Sequence, residues 1–358
     1  MKITFIIGQY KRISGGNRII FEYANRLQKL GNDVNLYSLA KPAKWYRVDH
    51  WKRILNKKIT IIPSEFIDWL ENSIPINELS YNDEKLIPDS DILLATAWQT
   101  AYFANRLPNR KGNKFYLVQS DESIWAREKE KAHATYCMPF KKIVVSTWLK
   151  DIMKNKYQQE ANILLNPVNK SLFYRKTENL SSVFRVCFLH HDYEFKGYKE
   201  AMEAVKIVRS RNYKIEPVVF GEKIQDPSPL YEDAGFRFEY HYRPTGEALR
   251  QLYTSCGIYM CASWHEGSGL PGMEAIACGA ALVTTDTGGS RDYALDGETA
   301  LVSPPRQPEQ LANNLVRIIS DESLRFKLVE KGAQKIGEHT WDANCFRLET
   351  LFKESLGK

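Results

Sequence analysis

The segment of residues 264–279, WHEGSGLPGMEAIACG, holds the residue types best suited to binding a phosphorylated ligand. It follows a strand-like run and opens a helix, and Pro271 suits the first helical turn because it lacks an amide hydrogen that would stay unpaired there. The amides of Ser268, Gly269 and Leu270 then lie at a helix N-terminus with little side-chain bulk, where a diphosphate fits. The segment therefore predicts an anion site.

Two glutamates flank that predicted anion site. Glu266 precedes the glycines and Glu274 lies about one turn into the helix. Carboxylates accept hydrogen bonds from sugar or ribose hydroxyls. The alternative is an ordinary loop with two solvated glutamates.

The same residues also spell GxGxxG, through Gly267, Gly269 and Gly272. A dinucleotide site requires this pattern in a first strand–helix unit, with an acidic residue about 20 positions later. Here it occurs late in the chain, contains a proline and lacks that acid, so an NAD-dependent oxidoreductase is the weaker alternative.

Glycines follow other strand-like runs as well. Gly15 and Gly16 come after the first strand, Lys196 precedes a glycine at the start of a helix, and residues 288–290 read Gly-Gly-Ser. Glycine lets a backbone approach a phosphate, and lysine supplies a point charge. Parallel sheets bind ligands at the carboxyl ends of their strands, where all these residues fall. Each one alone is equally compatible with a tight turn or a solvated lysine.

The elements that must hold these residues alternate between strand and helix. The predicted strands are 3–8, 34–39, 92–96, 115–119, 143–146 and 162–165, and then 184–189, 216–220, 236–240, 257–261, 281–285 and 300–302. This rhythm, interrupted by a turn cluster at residues 166–169, predicts an α/β chain with two doubly wound, Rossmann-like domains.

The composition is that of a folded chain with one basic half. The 358 residues are 43% hydrophobic and carry a net charge of +7. Residues 1–165 hold 26 basic and 17 acidic residues, so the remainder is slightly acidic. A basic half indicates an anionic partner, such as a phosphate-bearing substrate or a membrane surface. The six cysteines form no CxxC pair, as expected in a reducing cytoplasm.

Residues 41–58 concentrate basic and aromatic side chains, including Trp45 and Trp51. As a helix, this segment would be basic and amphipathic, which suits the interface of an anionic membrane. A helix packed on its own domain fits the pattern equally well.

Taken together, these motifs resemble those of the GT-B glycosyltransferases of family 4, over nearly the whole chain. Glu266 and Glu274 resemble the family's E-x7-E element, and residues 267–279 resemble GFGLPxxEAMACG. Residues 287–292 resemble the TGGxxE segment, Lys196 begins a KG pair, and residues 339–341 resemble the FSW start of the last helix.

The resemblance implies two Rossmann-like domains facing a central cleft. It implies an acceptor-side domain of residues 1–168, joined by a helix of about 341–358, and a donor-binding domain of 169–340. It also implies a retaining reaction that needs no metal or other cofactor. The donor-binding residues it implies are Gly15, Gly16, His191, Lys196, Glu266, Ser268, Gly269, Leu270 and Glu274.

Two positions depart from the family pattern. His191 stands where the family usually has an arginine, so phosphate binding is expected to be weaker or pH-dependent. The first half also lacks the histidine that the family often places near the reacting sugar, and its region offers Gln119, Asp121 and Glu122. Asp121, together with Glu266 and Lys196, forms the predicted catalytic set.

The function expected from the resemblance is transfer of a hexose-type sugar from a UDP-, dTDP- or GDP-linked donor to a glycan or lipid-linked glycan in surface polysaccharide assembly. The expected location is cytoplasmic, with peripheral docking on the inner face of the membrane and no nucleic-acid partner. The alternatives are a nucleotide-sugar epimerase of the same fold, the NAD-dependent oxidoreductase and a non-catalytic binding module.

Overall fold

A computed structural model describes residues 1–40, 51–52, 57–67, 72–175 and 184–357. The chain divides into two compact units. The first unit comprises Met1–Leu164 together with Asp342–Lys358, and the second comprises Leu165–Trp341. The boundary therefore falls slightly before the expected residue 168, and the chain returns to the first unit at its last helix.

The first unit is built on an eight-stranded sheet in the order β3-β4-β2-β1-β5-β6-β7-β8. The strands are β1 Lys2–Ile7, β2 Asp33–Ser38, β3 Ile59–Ile62, β4 Ile76–Leu79, β5 Ile92–Ala95, β6 Asn113–Val118, β7 Lys141–Val144 and β8 Ala161–Ile163. All neighbours are parallel except β3 and β4. Strand order reverses beside β1, which is the position at which such sheets bind ligands.

Helices connect these strands, as parallel pairing requires. They are α1 Gly15–Lys29, α2 Trp98–Arg106, α3 Lys129–Tyr136 and α4 Thr147–Tyr157. Buried apolar residues of α1, including Ile20, Tyr23 and Leu27, recur at helical spacing and form its packed face. The Ser14 side chain caps its N-terminus by accepting from the Asn17 amide.

The second unit has a six-stranded, fully parallel sheet in the order β11-β10-β9-β12-β13-β14. The strands are β9 Phe184–His190, β10 Ile215–Gly221, β11 Glu239–Tyr242, β12 Ile258–Cys261, β13 Ala281–Thr285 and β14 Leu301–Ser303. The helices are α5 Tyr198–Ser210, α6 Ser228–Ala234, α7 Gly246–Ser255, α8 Leu270–Ala277, α9 Pro308–Ser320 and α10 Glu322–Ile336. One apolar core joins the sheet to α5, α9 and α10.

The last helix, α11 (Trp341–Ser355), packs against the first unit. Phe352 meets Phe115 of β6 edge-on, with ring centroids 4.8 Å apart. The Asn344 amide donates to the Tyr23 hydroxyl of α1 at 3.2 Å. These contacts hold α11 against β6 and α1 of the first unit.

The predicted α/β class with two Rossmann-like units is confirmed. The strands β3 and β4, which pair antiparallel through short, partly polar segments, were not predicted. The strand predicted over residues 236–240 begins later in the structure, at Glu239 of β11. Most of the segment 41–58, including Trp45, lies outside the described residues, whereas Trp51 is described and is 57% exposed.

Candidate functional site

Glu266 and Lys196 meet at the carboxyl edge of the second sheet. The Lys196 Nζ lies 2.7 Å from Glu266 Oε1 and 2.8 Å from Oε2, so the ammonium bridges both carboxylate oxygens. Both side chains are partly buried and line one pocket with Ser263, Gly269 and Pro271. The structure thus brings together a cation, a carboxylate and a glycine-rich helix start, as the sequence predicted.

The loops that carry this pair are locked together by backbone contacts. The Trp264 amide donates to the Phe195 carbonyl at 2.7 Å. Gly197 has φ +70°, and a Cβ there would lie 2.0 Å from the Ala262 carbonyl oxygen. Only glycine fits so close to another backbone. The Lys196 loop is therefore held directly against the end of β12.

Residues 287–289 support the Glu266 loop from the other side. The Glu266 amide donates to the Thr287 carbonyl at 2.9 Å, and the Gly289 amide donates to the Glu266 carbonyl at 3.2 Å. A Cβ at Gly289 would lie 2.2 Å from the Gly267 carbonyl oxygen. These glycines thus serve to position the loop.

The start of α8 has the geometry of an anion site. Gly269 is its N-cap, with φ +80°, and no side chain caps the helix. Within the described residues, the amides of Gly269 and Leu270 donate to no protein group. Because the first amides of a helix carry partial positive charge, they favour an anion. The Ser268 side chain instead turns toward the Met273 sulfur at 3.6 Å.

Tyr293 is a supporting residue that the sequence analysis missed. Its hydroxyl donates to the Gly269 carbonyl at 3.0 Å. A Cβ at Gly269 or Gly272 would approach the same hydroxyl to 2.6 or 3.0 Å. Two glycines of the segment therefore make room for Tyr293, and the GxGxxG spacing has a packing explanation without a dinucleotide.

Glu274 lies deeper than the sequence suggested. It sits on α8, is 4% exposed, and its Oε2 lies 3.5 Å from the Tyr253 hydroxyl. The Tyr253 hydroxyl thus donates a long hydrogen bond to this carboxylate. The structure places Glu274 one turn beyond the helix start, and its predicted role in binding the donor stays a prediction.

His191 lies on a run of stacked rings just past β9. Its Nδ1 accepts from the Tyr193 amide at 2.9 Å, so the neutral ring carries its hydrogen on Nε2. Tyr193 stacks on Phe195 at 5.3 Å, and Phe195 stacks on His265 at 4.6 Å. This run fixes the backbone of the loop that ends in Lys196.

In the first unit, Gly15 and Gly16 form the first turn of α1, at the reversal point of the sheet. A Cβ at Gly16 would lie 3.4 Å from Nε2 of Gln119, whose residue follows β6. Within the described residues, the Gln119 side chain makes no hydrogen bond. Gln119 thus presents an unused carboxamide beside the glycines.

Unlike the Gln119 carboxamide, the Asp121 carboxylate is hydrogen-bonded to neighbouring side chains. Its Oδ1 accepts from the Ser123 hydroxyl at 2.5 Å and lies 3.4 Å from the Tyr157 hydroxyl, and its Oδ2 pairs with Lys156 Nζ at 3.1 Å. Asp121 is also buried, so protein groups already use both oxygens. These contacts are those of a structural side chain, and the catalytic role of Asp121 stays a prediction.

Glu122 is also used within its own unit. Its Oε2 accepts from the Trp98 amide at the start of α2, at 2.8 Å, and from the Tyr116 hydroxyl at 3.1 Å. Burial raises the pKa of this carboxyl to about 7, although both hydrogen bonds favour the charged form. Glu122 therefore caps a helix whose own N-cap, Ala97, has no polar side chain.

No group of three or more metal-ligating side chains occurs among residues that the structure describes. Over the same ranges, no helix combines the length and apolarity that crossing a membrane requires.

Comparison with known proteins agrees with this geometry. Residues 173–335 match the family model described as glycosyl transferases group 1. That range contains the Lys196–Glu266 pair and all of α8.

Two curated relatives extend the comparison. The chain is 26% identical over 271 residues to the O-antigen biosynthesis protein RfbC of Myxococcus xanthus, a match covering 74% of this chain and 21% of that protein. It is 25% identical over 172 residues to an N,N'-diacetylbacillosaminyl-diphospho-undecaprenol alpha-1,3-N-acetylgalactosaminyltransferase of Campylobacter jejuni, covering 48% of this chain and 45% of that one. The chain thus spans less than two thirds of the length of these relatives.

Solved structures share the fold over the full chain. A sucrose-phosphate synthase from Thermosynechococcus elongatus superposes with a TM-score of 0.79 at 15% identity, covering 99% of both chains. Anabaena HepE, in complex with UDP and glucose, superposes with a TM-score of 0.77 at 11% identity, covering 99% of this chain and 100% of that one. These similarities show the GT-B fold.

Proposed function

We propose that this protein is a retaining GT-B glycosyltransferase of family 4. In this proposal it moves a hexose-type sugar from a nucleotide diphosphate donor to a glycan or lipid-linked glycan acceptor in surface polysaccharide assembly. The observation that carries the proposal is the Lys196–Glu266 pair beside the unpaired amides of Gly269 and Leu270. The group 1 match and the O-antigen relative support it.

The chemistry follows from these groups. Departure of a nucleoside diphosphate leaves negative charge on the phosphate, which Lys196 and the two amides stabilise electrostatically. Glu266 accepts a hydrogen bond from a hydroxyl of the reacting sugar, and Glu274 accepts hydrogen bonds from the ribose hydroxyls. The bond between the anomeric carbon and the diphosphate breaks, a phosphate oxygen on that face takes the proton of the acceptor hydroxyl, and the acceptor oxygen bonds to the anomeric carbon on the same face. Because Lys196 and the two amides supply the positive charge for the leaving group, we expect no metal requirement.

A donor screen tests the function. The protein is incubated with labelled UDP-, GDP- and dTDP-sugars without acceptor, with and without EDTA. Slow release of nucleoside diphosphate that EDTA leaves unchanged supports a metal-independent transferase. Interconversion of the sugar indicates an epimerase, and tight binding without turnover indicates a binding module. In a parallel incubation with added NAD, oxidation of the sugar together with reduction of NAD indicates the oxidoreductase.

For the acceptor-side unit, Gln119 is the residue we assign to substrate among the three that the sequence left open. Its carboxamide offers both a donor and an acceptor, and it lies against Gly16, whereas Asp121 and Glu122 are bonded within their own unit. Gln119→Ala should weaken transfer while leaving UDP affinity unchanged. Gln99→Ala, an exposed residue of α2, is the matched control.

We also propose that the protein acts in the cytoplasm and docks peripherally on an anionic membrane through residues 41–58. The basic surplus of residues 1–165 and the exposure of Trp51 support this. Each basic residue near such a surface contributes about 1 kcal/mol, screened within ~10 Å at ordinary salt. The Campylobacter relative, whose name includes diphospho-undecaprenol, supports a lipid-linked acceptor.

Liposome co-sedimentation tests the docking. Binding to anionic but not neutral vesicles is expected, with loss at high salt and on changing Lys44, Arg47, Lys52 and Arg53 together to serine. Equal recovery in the supernatant with both vesicle types contradicts the docking and leaves the transferase proposal standing with a soluble acceptor.

A further inference from the structure

Glu266 has a second partner, Ser263, that the proposed function does not use. The Ser263 hydroxyl donates to Glu266 Oε1 at 2.8 Å. The same oxygen also accepts from Lys196, so Oε1 has two donors and Oε2 has one. The carboxylate is therefore held asymmetrically.

The two partners differ in their freedom to leave. The Lys196 ammonium lies at the end of a flexible four-carbon side chain that remains partly exposed. Ser263 is only 4% exposed, has a short side chain, and its carbonyl accepts from the Thr285 hydroxyl at the end of β13. Two neighbouring strand ends thus fix Ser263, whereas Lys196 can turn toward a new partner.

A diphosphate supplies that new partner. Lys196 spans both oxygens of Glu266, so the ammonium covers the position from which a sugar hydroxyl would reach the carboxylate. The diphosphate as a whole attracts the ammonium because it carries more negative charge than the single carboxylate. Once Lys196 has moved, Oε2 has no donor among the residues that the structure describes, and Oε1 keeps Ser263.

We infer that Ser263 is a positioning residue that holds Glu266 by Oε1 when Lys196 turns to the donor diphosphate, leaving Oε2 to accept one hydroxyl of the transferred sugar. This inference rests on the proposed function and deepens it. Ser263 acts through Glu266 and touches no reacting atom. Without it, the carboxylate can rotate, and misplacement of a positioning group by about 1 Å can reduce a rate about 100-fold.

The test compares Ser263→Ala with Ser303→Ala. Ser303 is also 4% exposed and ends the strand beyond β13, and within the described residues its hydroxyl has no hydrogen-bond partner. Ser263→Ala should lower kcat about 10- to 100-fold and leave the calorimetric Kd for UDP within about twofold of wild type. Ser303→Ala should change neither, and Ser263→Thr, which keeps the hydroxyl, should restore most of the rate.

Deoxy donors give a readout that a merely structural role would not affect. A donor lacking the hydroxyl that Oε2 accepts should react slowly with wild type and no more slowly with Ser263→Ala, because the contact is already absent. Donors deoxygenated elsewhere should keep the full difference between the two proteins.

Three results overturn the inference. The first is wild-type kcat in Ser263→Ala, and the second is a loss of UDP affinity equal to the loss of rate. The third is the same Ser263→Ala effect with every deoxy donor. If Ser263→Ala fails to fold, Ser263→Cys, with a similar shape and a weaker donor, should give an intermediate rate, and a wild-type rate there also overturns it. Wild-type protein that releases no nucleoside diphosphate from any donor overturns the proposed function itself.

Discussion

The carboxyl ends of the two sheets both carry acidic side chains, and their partners differ. In the first unit, Asp121 and Glu122 bond to a helix start, tyrosine hydroxyls and Lys156 within that unit. In the second, Glu266 bonds to Lys196 and Ser263 beside a helix start at which the amides of Gly269 and Leu270 have no acceptor among the described residues. A carboxylate at a strand end is available to a substrate when the cation that pairs with it can turn to a second anion, as Lys196 is proposed to do with the donor diphosphate.

The largest expected effect breaks the pair in the second unit. Glu266→Gln should lower kcat about 10- to 100-fold, because a charged hydrogen bond to the reacting sugar is lost. UDP affinity should persist or increase, since Lys196 no longer has a carboxylate to leave. Steady-state kinetics and calorimetry with UDP measure both quantities. Unchanged kcat would remove Glu266 from the proposed mechanism.

The corresponding change in the first unit should affect stability instead. Asp121→Asn removes the charge that pairs with Lys156 and weakens the acceptor of the Ser123 hydroxyl. The free energy of unfolding should fall by about 1–3 kcal/mol, with kcat per folded molecule unchanged. Urea denaturation followed by kinetics on the folded fraction measures this. A fall in kcat as large as that of Glu266→Gln would reinstate Asp121 as a catalytic candidate.

Glu122 should make the stability pH-dependent. Its pKa of about 7 in the folded protein lies above the ordinary value of 4.5, so the folded state binds the proton more tightly than the unfolded state. Its contribution is therefore greatest below about pH 4.5 and is lost as the pH rises through about 7. Glu122→Gln keeps an acceptor for the Trp98 amide and removes the titration.

Urea denaturation of wild type and Glu122→Gln at about pH 5 and pH 8 measures this loss. From about pH 5 to pH 8, the free energy of unfolding of the variant should rise by about 1–3 kcal/mol relative to that of wild type. A constant difference between the proteins would show that Glu122 does not titrate in this range.

The smallest expected effect concerns His191. Its Nδ1 accepts from the Tyr193 amide, so protonation of the ring would break that hydrogen bond. His191→Arg should bind UDP at least as tightly as wild type, with a gain in affinity of less than about tenfold. The affinity for UDP should also depend less on pH around the ~6.5 reference pKa of histidine. Calorimetry between about pH 6 and 8 checks this. Complete loss of UDP binding would instead show that the stacked rings leave no space for arginine.

Local pattern was enough to predict the architecture and the helix start beside which Lys196 and Glu266 meet. Strands buried on both faces are apolar runs, and a proline after glycines marks a helix start, so β13 and α8 follow directly from sequence. The strands β3 and β4 were missed because each has only four residues and neither forms a continuous buried apolar run. The segment 41–58 stays a prediction, since most of it lies outside the described residues.

The sequence by itself determined the α/β class, the position of the glycine-rich helix start and the identities of Lys196, Glu266 and Glu274. Only the tertiary structure decided which acids are already bonded within the protein, because burial and partners come from strands far apart in sequence. Asp121 meets Lys156 and Tyr157 in this way, and Ser263 reaches Glu266 while Thr285 of β13 holds its carbonyl. Residue type sets what a side chain can bind, and its packed neighbours decide how much of its hydrogen-bonding capacity remains for a substrate.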